Sequence, residues 1–135
     1  MKWLVRILLL IPLLYLVAAP VWYSEMHSAM PCRKVVVTIS DSSDYHFVTK
    51  RDIQNTIIRR NGNPVGKTVG EINTDEIEET MSLYRELRKA EAYVTIDGTL
   101  HVYADQRTPV MRVMPAGGGD YYVDNEGVVI RRRNL

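Results

Sequence analysis

Residues 90–106, AEAYVTIDGTLHVYADQ, decide the fold. Two runs of alternating apolar and polar side chains flank Asp97-Gly98, a strong hairpin signal. A two-residue turn would oppose Val94 to His101. A three-residue turn with Gly98 as the left-handed bulge residue instead opposes Val94 to Leu100 and Ala92 to Val102. The second register gathers Ala90, Ala92, Val94, Leu100, Val102 and Ala104 on one face and predicts that face as buried. His101 falls on the polar face, and Pro109 interrupts or edges the sheet that follows.

Upstream of the hairpin, two segments carry helix-start signatures. In Val48-Thr49-Lys50-Arg51-Asp52-Ile53, Thr49 caps the helix, Asp52 stands three residues on, and Val48 staples to Ile53. Ile53 and Ile57 form its apolar stripe, and Asn61-Gly62 stops it. In Ile72-Asn73-Thr74-Asp75-Glu76-Ile77, Asn73 caps a second helix, with Glu76 closing the box. Ile77, Met81, Tyr84 and Leu87 make its predicted core stripe, while Glu78, Glu79, Arg85 and Glu86 take the wet side. Further back, KVVVTIS over residues 34–40 reads as a β-branched strand ending in a Ser/Asp cluster. The order is strand, helix, helix, strand, strand, an α+β unit over residues 34–109.

The N-terminal end has a different composition. Residues 7–23, ILLLIPLLYLVAAPVWY, hold no charged side chain and follow Lys2 and Arg6. Seventeen residues make about 25 Å of helix, the short end for crossing a hydrocarbon core. Residues 1–23 are therefore expected to be a cytoplasmic stub and transmembrane helix, with Trp3, Ile7, Leu10, Leu14, Val17, Trp22 and Tyr23 as anchor residues in the lipid bilayer. The competing reading is a signal peptide cut after Val17-Ala18-Ala19, against which Pro20 stands immediately beyond the cut. Residues 24–33 read as a linker bearing the single Cys32, an inert thiol. Residues 110–135 look like the start of a β-domain, with a strand, a glycine-rich loop and a hairpin around Asn125-Glu126-Gly127. Arg131-Arg132-Arg133 is the one dense basic run.

The 135 residues carry 17 Lys+Arg against 16 Asp+Glu, a net charge of +1 that gives no reason to expect nucleic acid. Asn61 to Thr68 contains Gly-Lys-Thr but lacks the glycine spacing and preceding strand of a phosphate loop. His27, His46 and His101 have no companion at metal-ligand spacing. Neither a catalytic dyad nor a nucleophile elbow stands out, so no catalytic, metal, cofactor or small-molecule site is expected, and the chain is read as non-enzymatic.

The strings FVTKRDI, GNPVGKTVGEINTDEIEE, AEAYVTIDGTLHVYADQRTPVMRV and YYVDNEGVVI, in this order, resemble the FtsQ/DivIB cell-division family in its Bacteroidetes form. Thr49, Asp52, Gly62, Asp97, Gly98, Gln106, Arg107, Pro109, Asp124 and Gly127 carry the resemblance. It implies a bitopic inner-membrane protein with a cytoplasmic N-terminus, whose periplasmic part begins with a POTRA domain and continues into a β-domain. It also implies assembly of the septal divisome with FtsB- and FtsL-type partners. Family members continue for about another hundred residues, a domain's worth. Their main FtsB-binding surface lies there, so it is assigned to no residue here, and the chain is expected to be truncated. An alternative is a POTRA-bearing factor of outer-membrane protein assembly or secretion, although no internal repeat is present. Candidate partner contacts are Glu78, Glu79, Arg85 and Glu86 on the second helix, and His101 and Tyr103 on the strand Thr99 to Gln106, whose outer edge could accept an added strand.

Overall fold

The computed structural model describes residues 2–40 and 47–131. A helix α1 (Lys2–Ser28) leads into β1 (Lys34–Ser40), α2 (Lys50–Asn61), a single 3-10 turn (Val69–Glu71), α3 (Thr74–Ser82), β2 (Leu87–Val94) and β3 (Thr99–Gln106). Three strands follow: β4 (Pro109–Val113), β5 (Tyr121–Asp124) and β6 (Val129–Arg131). They form two three-stranded sheets, ordered β1-β3-β2 and β4-β5-β6. The architecture is mixed α and β.

Local chemistry sets the helix starts. Thr49 Oγ1 accepts from the Asp52 amide at 3.2 Å and Asp52 Oδ2 accepts from the Thr49 amide at 3.0 Å, a reciprocal cap that satisfies two otherwise orphaned donors. Asn73 Oδ1 accepts from the Glu76 amide at 3.2 Å and begins α3. Between the helices, Gly62 takes a positive φ of 80° and ends α2.

The hairpin adopts the three-residue turn, with Val94 opposite Leu100 and Ala92 opposite Val102. Thr95 donates its amide to Thr99 O and Gly98 donates to Thr95 O, both at 2.9 Å. Gly98 holds φ +79°, and a Cβ on it would lie 2.7 Å from Pro31 O. Asp97 accepts from the hydroxyls of Thr95 and Thr99 and from the Thr99 amide. These donors, the Thr95 hydroxyl foremost, hold its carboxyl down at about 2.

β3 lies between parallel β1 and antiparallel β2, with Val35 opposite Leu100 and Val37 opposite Val102. One face of the sheet packs Val37, Ala92, Leu100, Val102 and Ala104 against Ile53 and Ile57 of α2 and Ile77 and Met81 of α3. Burying such side chains supplies about 1.5–3 kcal/mol each for the large ones, the main force closing the layer.

Several expectations need correction. Among the described residues no helix is long and apolar enough to cross a membrane. The transmembrane helix expected over residues 7–23 is therefore withdrawn, and with it the bilayer contact and the single-pass inner-membrane placement. The uncharged run makes about 25 Å of helix against about 30 Å of hydrocarbon, and it contains Pro12 and Pro20. The helix does not stop where the run ends, but continues to Ser28, which packs against Gly70. Trp3, Leu10, Leu14, Val17, Trp22 and Tyr23 are exposed along it. The side chain of Ile7 lies outside the described residues, as do His46, Arg132 and Arg133.

The linker reading of residues 24–33 also changes. Met30 to Cys32 pairs antiparallel with residues 66–69, through Cys32 N–H to Lys67 O and Val69 N–H to Met30 O at 2.8 Å each. Cys32 is buried in the core.

α3 is shorter than its apolar spacing predicts. It ends at Ser82, because Leu87 begins β2 opposite Gln106 and the Tyr84 hydroxyl bonds that of Thr56 on α2.

Gly98→Ala and Gly127→Ala separate two costs. Both glycines have φ +79°, which costs an alanine about 1–2 kcal/mol. Only Gly98 meets backbone, so its variant loses about 1–3 kcal/mol more by overcrowding, measured by urea denaturation.

The Asp97 carboxyl, followed by carbon-detected NMR, titrates with a midpoint near 2, and Thr95→Val moves it back toward 3.8. Its folded value lies below the unfolded one. The stabilisation is thus present above about pH 4 and disappears as pH falls through about 2.

Candidate functional site

A sheet layered by helices on one side leaves three surfaces for a partner: the open face, and two edges whose backbone groups lack a neighbour. The open face carries the odd-numbered residues of β3. His101, half-buried, stacks on Tyr93 of β2 with ring centroids 5.2 Å apart and planes 11° from parallel. Tyr103, also half-buried, stands between Thr38 and Glu91. Arg88 donates through Nε to Asp105 at 2.9 Å at the far end of this face.

The expectation that Thr99 to Gln106 offers an outer edge is overturned, because β3 is the central strand and both its sides are hydrogen-bonded. The edges belong to β1 and β2. They are not equivalent. Glu78 Oε1 on α3 accepts from the Ala92 amide at 2.7 Å, placing a carboxylate over the middle of the β2 edge. A charged acceptor on an edge amide is a stronger bond than a neutral one and also hinders strand pairing there.

The four acidic and basic residues assigned to one helical face are therefore not one surface. Glu78 is half-buried and engaged with β2, and Glu79 is exposed on α3. Arg85 and Glu86 lie beyond the helix in the turn before β2, and Glu86 is buried, its carbonyl accepting from the Arg107 amide at 2.9 Å. Nothing in the sequence signals the Glu78 bond, which joins residues in different elements.

The residues of the family-like strings serve structure. Thr49 and Asp52 make the helix cap, Asp97 and Gly98 make the turn, and Gly62 and Gly127 take positive φ. Buried Gln106 accepts from the amides of Phe47 and Val48, at 3.1 and 3.2 Å. Arg107 joins the two sheets through Nη1 to Asp124 and Glu126, at 2.6 Å each. Asp124, itself buried, also accepts from the amides of Glu126 and Val128, closing the β5–β6 turn around Gly127. Phe47 meets Tyr122 edge-on at 5.3 Å, a second link across the sheets. Pro109 opens β4, an edge strand where its missing donor is tolerated.

Between β1 and α2, a groove of about 330 Å³ is lined by Val35, Ile57, Ile58, Pro64 and Val65, by Gln54, Asn55 and Asn63, and by Arg33 and Lys34. Beside β2, a groove of about 520 Å³ is lined by charges of both signs, among them Asp75, Glu78, Arg88 and Lys89. Among the described residues no cluster could hold a metal ion.

A strand-helix-helix-strand-strand layer with a central third strand defines a small interaction domain. A family model described as the POTRA-like domain matches residues 30–104, and the chain belongs to that family. The match begins four residues before the expected boundary and takes in Cys32, in agreement with the antiparallel pairing of residues 30–32. No curated protein matches the chain.

Replacing Glu78 by alanine uncovers the Ala92 amide. The expected loss is about 1–3 kcal/mol, with faster hydrogen exchange at Ala92, whereas Glu79→Ala stays within about 0.5 kcal/mol of the parent.

Proposed function

We propose that the chain is a non-enzymatic assembly factor of the FtsQ/DivIB cell-division type, which helps assemble the septal divisome with FtsB- and FtsL-type proteins through protein–protein contacts, those of its POTRA-like domain among them. The observation that carries this reading is a POTRA-like sheet whose β1 edge no strand among the described residues pairs, beside a largely apolar groove. Such an edge binds an extended segment by main-chain hydrogen bonds, and the groove selects its side chains. Further support comes from the family-like strings, which fall on the caps, the turn and the Arg107 junction that hold this sheet and the second one together. The reading calls for no cofactor, nucleic acid or small-molecule substrate. The POTRA-like family also fits a role in outer-membrane protein assembly, but the cell-division strings extend past the matched domain into β5 and β6.

Co-expression of the full chain with the FtsB- and FtsL-type proteins of its host, followed by affinity purification, tests the reading. Recovery of at least one partner is the expected result, since the family's main FtsB-binding surface is assigned to no residue here. A folded chain that recovers neither overturns it.

A further inference from the structure

We propose that a pocket between α2 and the end of α3 binds a small phosphorylated polyol, with the phosphate held by Arg59, Arg60 and Arg85 and a hydroxyl held by Glu86. The site lies apart from the sheet edges and stands whether or not the assembly reading holds.

The pocket has a volume of about 450 Å³, a size that takes a small ligand. Arg59 and Arg60 reach it from the last turn of α2, Thr80 from α3, and Arg85 and Glu86 from the turn before β2. Thr56 and Tyr84 also line it, their hydroxyls bonded to each other across the two segments. Sequence spacing gives no sign of this hollow, because it exists only where α3 stops at Ser82 and the chain turns back over α2.

Two features of the lining call for a ligand. Cations in the last turn of a helix complement its dipole, which accounts for Arg59 and Arg60. It does not account for Arg85, which a different element brings to the same hollow. Arg88, Arg107 and Arg112 each hold a carboxylate. Among the described residues none of the three pocket guanidiniums has an ion pair or hydrogen bond. The second feature is Glu86. This residue is 8% exposed and lines the pocket, yet its carboxylate takes no partner among the described residues. The hydroxyl of Thr80, a residue 7% exposed, is in the same position. Buried polar groups without partners are costly, so whatever fills the pocket supplies their bonds.

Charge and geometry select the occupant. Guanidiniums bind phosphate oxygens in pairs, and a phosphate dianion together with Glu86 offsets all three cations. A bare phosphate sets its oxygens against the Glu86 carboxylate. A hydroxyl beside the phosphate donates to that carboxylate instead, so the alcohol part of the ligand is recognised as well as its charge.

Calorimetric titration of the full chain with glycerol 3-phosphate, inorganic phosphate and succinate, with amide shifts followed by NMR, tests the site. Glycerol 3-phosphate is expected to bind about tenfold tighter than either of the others. Its amide shifts are expected at residues 56–60 and 80–86. Arg59→Glu with Arg85→Glu, both exposed, is expected to weaken binding by at least about tenfold. Lys50→Glu with Arg51→Glu makes the same change of charge in the first turn of α2, outside the pocket, and is expected to leave binding unchanged. Glu86→Gln keeps the shape and is expected to bring glycerol 3-phosphate and inorganic phosphate to equal affinity. Absence of binding at about 10 mM glycerol 3-phosphate, equal affinity for succinate, or the same loss in both charge-reversed pairs would overturn the proposal. A preference for glycerol 3-phosphate that survives Glu86→Gln overturns the polyol assignment. Binding to phosphatidic acid vesicles through Arg59 and Arg85, with none to glycerol 3-phosphate, would assign the pocket to a lipid headgroup and overturn the soluble ligand.

Discussion

The domain is organised around a close approach that only glycine permits. Gly98 turns the β2–β3 hairpin with its α-carbon against the Pro31 carbonyl, and the neighbouring Arg33 amide donates to Gly98 O at 2.8 Å. The turn thereby sets the register of β2 on β3 and also ties it to the segment entering β1. With that junction in place β3 becomes the shared strand, and its helix-facing side chains meet α2 and α3 in one layer. Asp97 supports the same turn by accepting three hydrogen bonds from within it.

From the central position of β3 follows the asymmetry of the sheet. An exposed edge invites unwanted pairing, and proteins blunt it with charge or cover. Here Glu78 blunts β2, and residues 66–69 pair with the segment just before β1, whereas among the described residues none pairs with the outer side of Val35 to Ile39 beside the largely apolar groove. The second sheet is joined near the other end of β3 by Arg107 and by the Phe47–Tyr122 contact, away from that groove. The β1 edge and the sheet-to-sheet connection therefore occupy different parts of the same small domain.

Much of the helix and hairpin pattern was readable because its causes are local. Thr49 and Asp52 are three residues apart, as are Asn73 and Glu76, and the turn spans Thr95 to Thr99. The errors in the sheet-and-helix layer have a common source in contacts between distant segments. The stripe Ile77, Met81, Tyr84, Leu87 fits helical spacing, yet Leu87 pairs with Gln106 and the helix ends at Ser82. Glu86 sits on the wet side by periodicity, but its position in the turn buries it. Cys32 reads as a linker residue by its position, and the pairing with residues 66–69 places it in the core. The apolar run of residues 7–23 suggested a membrane span by composition, but its length and prolines fall short of one.

By itself, the amino-acid sequence determined where α2 and α3 begin, the register of the β2–β3 hairpin and which of its faces is apolar. Short-range hydrogen bonds and side-chain alternation suffice for these. Tertiary structure alone decided that β3 is central, that Glu78 caps one edge and not the other, and that Arg107 links two sheets. Each of these depends on which distant backbone or carboxylate comes within hydrogen-bonding reach, and neither residue spacing nor propensity encodes that distance.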